Sequence, residues 1–277
     1  MQGTKIKWTD NTFNPWIGCT KVSEGCANCY AATQDHMRYS RTLGDGTKLK
    51  PISHWGKGAP RHLTKTWNDP LKWDRACEPT GDRQKVFCAS LADVFDAEVP
   101  KAWRKNLWNL IRECRSLDWQ LLTKRPENIE RFLPDDWSME DYGHVWLGAT
   151  VENQKRADER VEILAAVPAA IHFLSAEPLL SAINFKTLEH IEWVIVGGES
   201  GHHARSMNLE WPLSIVEQCS ENGVACFVKQ LGRSPIVTSP DDDTAIPWPV
   251  SDPFGENLDE WPEELKLREF PELELVS

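Results

Sequence analysis

His144-Val145-Trp146-Leu147-Gly148-Ala149 and Ile171-His172-Phe173-Leu174-Ser175 are two short, mostly apolar runs, and residues 154–166 between them read as a helix. Runs this short, with no polar alternation, are the pattern of strands covered on both faces of a parallel sheet. Parallel neighbours need a crossover, and the helix supplies one, so the stretch predicts a βαβ unit. The pattern recurs on both sides. Thr12 to Ile17, Lys85-Val86-Phe87-Cys88-Ala89-Ser90, Trp119-Gln120-Leu121-Leu122-Thr123, Ile191 to Val196 and Val224 to Val228 read as further strands. Helix-like sequence carrying Trp103, Leu107, Leu110, Ile111 and Cys114 follows the second strand. Residues 126–132 follow the third, and residues 211–222 the sixth. Six or seven such units predict an α/β chain built as a partial (β/α)6-type TIM-like barrel. No G-x-G-x-x-G follows the first strand, which argues against a dinucleotide-binding sheet.

The barrel is expected over 1–237, with 40–84 an irregular insertion or lid after the first helix. From Thr238 the chain carries 12 acidic residues against two basic ones, and five prolines follow Pro240. Residues 238–277 are therefore expected to be an extended, partly disordered acidic tail. The net charge of −11 is unevenly spread: 22 Lys/Arg against 15 Asp/Glu in 1–131, and 9 against 27 in 132–277. Segment 48–75 interleaves Lys48, Lys50, Lys57, Arg61, Lys65, Lys72 and Arg75 with Trp55, Trp67 and Trp73. Cations among aromatics suit phosphates and stacked bases, so nucleic acid is one candidate partner. The competing reading is a solvated insertion whose tryptophans pack on the core. No apolar run reaches a membrane span, and no signal-peptide pattern opens the chain. A cytoplasmic location with eight reduced cysteines is expected.

Three of those cysteines are clustered in Gly18-Cys19-Thr20-Lys21-Val22-Ser23-Glu24-Gly25-Cys26-Ala27-Asn28-Cys29-Tyr30, a C-x6-C-x2-C spacing. Thiols this close in a reducing compartment point to a metal, and Cys19, Cys26 and Cys29 are the candidate ligands. Three thiolates on an iron–sulfur cluster leave one iron open to a small molecule. Zinc is the alternative: His36, seven residues after Cys29, would complete Cys3His and make the chain a non-catalytic nucleic-acid or partner-binding protein. Cys77, Cys88, Cys114, Cys219 and Cys226 fall in strands, helices or isolated positions and read as structural.

In (β/α) barrels the carboxyl ends of the strands face the site. Those ends carry Ser90 and Asp93, then Thr123-Lys124-Arg125, then Thr150, Glu152 and Asn153. Glu177, then Glu199 with His202, His203 and Arg205, and finally Lys229 and Gln230 follow. Glu177, Glu199 and Lys229 are catalytic candidates. The plainer readings are that Lys229 neutralises the carboxylates and that Glu199 caps a loop.

The blocks Gly18-Cys19-Thr20 to Cys29-Tyr30-Ala31, Ser90-Leu91-Ala92-Asp93-Val94-Phe95, Leu122-Thr123-Lys124-Arg125-Pro126, Leu147 to Glu152, Ser175 to Leu180 and Val196 to Gly201 together resemble the phage Gp37/Gp68 family, over about residues 5–232. That family is similar to a divergent branch of the radical S-adenosylmethionine enzymes. The resemblance implies a 4Fe–4S cluster on Cys19, Cys26 and Cys29, S-adenosylmethionine as second cofactor, and a 5′-deoxyadenosyl radical acting on a substrate. It also implies a three-Cys-motif partner protein. By position, Ser90 and Asp93 would meet the methionine moiety. Thr150, Glu152 and Asn153, helped by Arg156 or Arg160, would meet the ribose or carboxylate. The Ser90–Asp93 block bears a looser similarity to the photoproduct-lyase branch. The pattern departs from the superfamily in its first gap, six rather than three. Gly197-Gly198-Glu199 follows the sixth strand instead of the second, so no cofactor role is transferred to it.

Overall fold

A computed structural model describes residues 4–39, 41–42, 48–49, 53–242 and 244–272; for 41–42 and 48–49 it describes the backbone alone. Lys50 and the side chain of Lys48 lie outside the described residues. The chain divides into two compact units, Met1–Val145 and Trp146–Ser277.

In the first unit, β1 (Asn11–Phe13), β2 (Gln84–Cys88) and β3 (Leu117–Thr123) run parallel, β2 in the middle. Among the described residues, the longer helices of this unit are α1 (Tyr30–Tyr39), α2 (Asp69–Cys77) and α3 (Lys101–Glu113). Leu107, Trp108, Leu110 and Ile111 recur at helical spacing and form the buried face of α3. Phe13 meets Trp119 and Trp67 edge-on across the strands. The first strand is shorter than the sequence predicts. Pro15 has no N–H to continue a ladder, so β1 stops at Phe13. Trp16–Ile17 instead pairs antiparallel with His62–Leu63 of the insertion. The helix expected over 126–132 is a tight 3-10 turn, Pro126–Asn128, that runs directly into an α-helical turn, Ile129–Phe132.

In the second unit, β4 (Val145–Thr150), β5 (Ile171–Ala176), β6 (Trp193–Gly197) and β7 (Ala225–Gln230) are again parallel and in chain order. β4 begins on the last residue of the first unit. The helices are α4 (Gln154–Ala165) and α5 (Glu210–Asn222). Trp146, Phe173 and Phe227 all pack against Trp193, with ring centroids about 6 Å apart. A Cβ on Gly148 would stand 2.3 Å from the Phe173 ring, so that ring lies over the strand only because residue 148 is glycine. Parallel strands following one another in chain order, mostly through helices, make the chain an α/β protein of the partial (β/α) TIM-like barrel class, as the sequence predicts. The β5–β6 connection is the exception, with irregular structure over 177–192.

The acidic tail departs from expectation. Through residue 272 it packs within the second unit. Val228 N–H donates to Leu267 O at 2.9 Å and Glu269 N–H to Cys226 O at 3.0 Å, so the tail lines the free edge of β7. Trp193 Nε1 donates to Glu269 O at 2.9 Å. Trp261 and Leu265 are buried. Net composition hid this pattern: the carboxylates stay solvated while a few apolar residues spaced among them anchor the segment. Among the described residues, no helix is long and apolar enough to cross a membrane.

Candidate functional site

Cys19 sits at the start of the loop that follows β1 and Trp16–Ile17. Gly18 before it adopts φ +113°, and Gly18 N–H donates to Leu91 O at 3.0 Å. A Cβ at residue 18 would fall 2.3 Å from His54 O. Gly18→Ala is therefore expected to cost at least about 2 kcal/mol, from left-handed backbone strain and the clash together. Urea unfolding measures it, and a loss near zero would mean the loop takes another path.

Two buried arginines fix this loop. Arg61 Nη2 donates to Thr20 Oγ1 at 2.7 Å, to Asp96 Oδ2 at 2.7 Å and to Glu98 at 3.0 Å. Its Nη1 donates to the carbonyls of His54, Gly56 and Ala59. Arg125, just past β3, donates from Nη1 to Cys19 Sγ at 3.5 Å and to Asp93 Oδ2 at 2.7 Å. Its Nη2 donates to Thr20 O. Asp93 also accepts from Thr123 Oγ1, 2.9 Å from both carboxylate oxygens, and from Phe95 N–H at 2.9 Å. The loops after β1, β2 and β3 are thus tied by charge-assisted hydrogen bonds shielded from water. Arg104 adds a further tie, donating to Val94 O and Asp96 O.

Burial pushes the Cys19 thiol up to about 12; Asp93 adds to the rise and Arg125 opposes it. The metal-free chain therefore keeps Cys19 protonated at neutral pH, and a metal would have to displace that proton. Cys26 and Cys29 are half-buried, and Ser23 Oγ lies 3.8 Å from Cys26 Sγ. As a donor set, three cysteines on one loop with a cation against one of them suit an iron–sulfur cluster. Their present geometry does not gather them: among the described residues, no group of three or more His, Cys, Asp and Glu side chains could hold a metal. His36, the alternative zinc ligand, is exposed on α1 and joins no such group. The other five cysteines are buried free thiols, and burial raises Cys77, Cys88 and Cys114.

The remaining predicted residues are committed to the chain itself. Ser90 Oγ exchanges hydrogen bonds with the Asn14 side chain, and Ser90 O accepts from Tyr30 Oη at 2.7 Å. In the second unit, Glu152 is fully buried and accepts from Arg160 Nη1 at 2.7 Å, while the same nitrogen donates to Thr150 O. Asn153 caps α4, accepting from Arg156 N–H at 3.0 Å. Lys229 pairs with Glu177. Glu199 accepts from Arg205 through both oxygens, at 2.6 and 2.9 Å, which closes its own loop. His202 and His203 are exposed.

Part of the basic segment is turned into the fold. Arg61 is buried in ion pairs and Lys72 pairs with Asp69. The indole N–H groups of Trp55 and Trp67 are buried, while Lys57 and Lys65 remain exposed. Sequence reasoning took Arg61 only as a cation of the basic segment, and it did not single out Asp96, Arg104 or the dyad in which His54 Nδ1 lies 2.8 Å from Asp35 Oδ1.

Residues 3–244 match the model of the family described as "Protein of unknown function (DUF5131)", and the chain belongs to that family. The match carries that description and not the phage Gp37/Gp68 name. No curated protein matches the chain. Among solved structures, a doubly substituted spore photoproduct lyase with bound AdoMet and dinucleoside spore photoproduct is similar at a TM-score of 0.42 and 10% identity. The alignment covers 79% of this chain and 53% of that one, so the chain spans about half the length of that structure.

Proposed function

We propose that the chain is a radical S-adenosylmethionine-type enzyme in which Cys19, Cys26 and Cys29 hold a 4Fe–4S cluster. One observation carries the reading: the three cysteines share a single loop after the first strand of a partial (β/α) barrel, with Cys19 buried against the Arg125 guanidinium. Barrel strands open their sites at this end, and a cation beside a thiolate stabilises it without further reorganisation. Held by Cys19, Cys26 and Cys29, such a cluster would supply one-electron reduction of the sulfonium of S-adenosylmethionine, with an external reductant as the electron source and methionine as the leaving group. The chain's own part is positional. Gly18 turns the backbone, Arg61 holds Thr20, and Arg125 with Asp93 holds Cys19. Burial around Cys19 keeps water from that side of the loop.

The test is metal and acid-labile sulfide on protein purified and reconstituted without oxygen. About four irons and four sulfides per chain are expected, with visible absorbance that bleaches on dithionite. Cys26→Ser and Cys29→Ser should each remove most of the iron. Both positions are half-buried, so each change should cost less than about 0.5 kcal/mol of stability. Lost iron in a protein that still melts like the wild type is then loss of ligation, not of fold. One zinc per chain and no iron would overturn the reading in favour of a binding protein.

A further inference from the structure

The Cys19 loop holds a buried ion pair whose cation touches the sulfur itself. Arg125 touches the Cys19 sulfur at 3.5 Å, and its side chain is 7% exposed. Asp93, also 7% exposed, accepts from the same guanidinium nitrogen at 2.7 Å. Thr123 Oγ1 and Phe95 N–H hold Asp93 in turn. A purely structural tie between loops needs no contact with the sulfur; the Thr20 O and Asp93 bonds would suffice. Yet the cation also touches Cys19, and the Asp93 carboxylate shares the same nitrogen. Away from water, a unit charge acts on its neighbours far more strongly than at a surface. Hydrogen bonds and charges at a ligand sulfur are among the factors that set the potential of an iron–sulfur cluster.

We propose that Arg125 is a positioning residue that sets the reduction potential of the group held by Cys19, with Asp93, which shares its guanidinium nitrogen, moderating it. This rests on the cluster reading. Reduction adds negative charge at the site. Arg125 favours the reduced state and Asp93 opposes it, so removing either must move the potential, and in opposite directions.

The experiment uses full-length protein reconstituted anaerobically with iron and sulfide. Wild type, R125M, R125K and D93N are compared by iron content, circular dichroism and a potentiometric titration. R125M is expected to make reduction at least tenfold less favourable, about 59 mV downward for a one-electron couple. R125K keeps the charge but not the planar fork. It should stay within about threefold of wild type in the reduction equilibrium while holding less iron. D93N should move the potential upward. An R125M equilibrium within about twofold of wild type, or R125M and D93N shifting the same way, overturns the inference while leaving the cluster reading intact. If R125M fails to fold, D93N decides: an unchanged or lowered potential overturns the proposal. A wild-type protein that takes up no iron overturns the cluster reading itself, and this inference with it.

Discussion

Arg160→Met lowers folding stability by about 3–5 kcal/mol, the usual consequence of leaving one member of a buried ion pair without its partner. Glu152 is 0% exposed, and its carboxylate has the Arg160 guanidinium at 2.7 Å, itself 5% exposed at the side chain. Arg160 also donates to Thr150 O, so its loss leaves a buried carbonyl one donor short as well. Against a total stability of about 5–15 kcal/mol for an ordinary domain, that is a loss visible in any urea melt. The double variant E152Q/R160M removes both charges, and Met supplies much of the lost side-chain volume. It should recover more than half of the loss, because the penalty comes chiefly from the uncompensated charge. A single-variant loss below about 1 kcal/mol would show that Glu152 is solvated or served by another cation, and would return it to the ligand-contact role that its place after β4 suggests.

That place explains which parts of the chain were legible. β4 and β5 read correctly because both faces of each strand are buried, so continuous apolar runs mark them regardless of what they meet. The cysteine loop was legible because C-x6-C-x2-C spacing is local information. The roles of the polar strand-end residues were not, because a carboxylate after a strand looks the same in sequence whether it faces a ligand or an arginine. Glu152 meets Arg160 eight residues on and Glu199 meets Arg205 six residues on, whereas Glu177 meets Lys229 across 52 residues and Asp93 meets Arg125 across 32. The last two pairings depend on which strands lie together. Arg61 is the sharpest case: it reads as a phosphate-seeking cation in a basic segment, yet it is buried and bound to Asp96 and Glu98. β1 was misjudged for a different reason. Thr12 to Ile17 reads as one strand, but Pro15 breaks the ladder and Trp16–Ile17 pairs with His62–Leu63 instead.

Truncation after Ser251 should cost more than about 4 kcal/mol, since it removes the buried Trp261 and Leu265, each contributing roughly 1.5–3 kcal/mol. It also removes Phe270, whose ring packs 5.4 Å from both Trp193 and Phe227. The backbone consequences are as large. Cys226 N–H donates to Glu269 Oε2, Val228 N–H to Leu267 O, Leu231 N–H to Gly255 O and Gly232 N–H to Phe254 O. Without the tail these four donors lose their partners, and β7 presents an uncovered edge to other chains. The truncated protein should therefore melt early and also associate, seen as concentration-dependent early elution on size exclusion. Trp261→Ala separates the two effects. It should take about 3–5 kcal/mol through the cavity alone while the strand edge stays covered, so it should weaken the fold without association. The segment these variants alter, after Ser251, lies beyond the 3–244 span matched by the family model. A truncated chain that keeps wild-type stability to within about 0.5 kcal/mol and elutes as the full chain does would make the acidic tail a mere appendage, as its composition alone suggests.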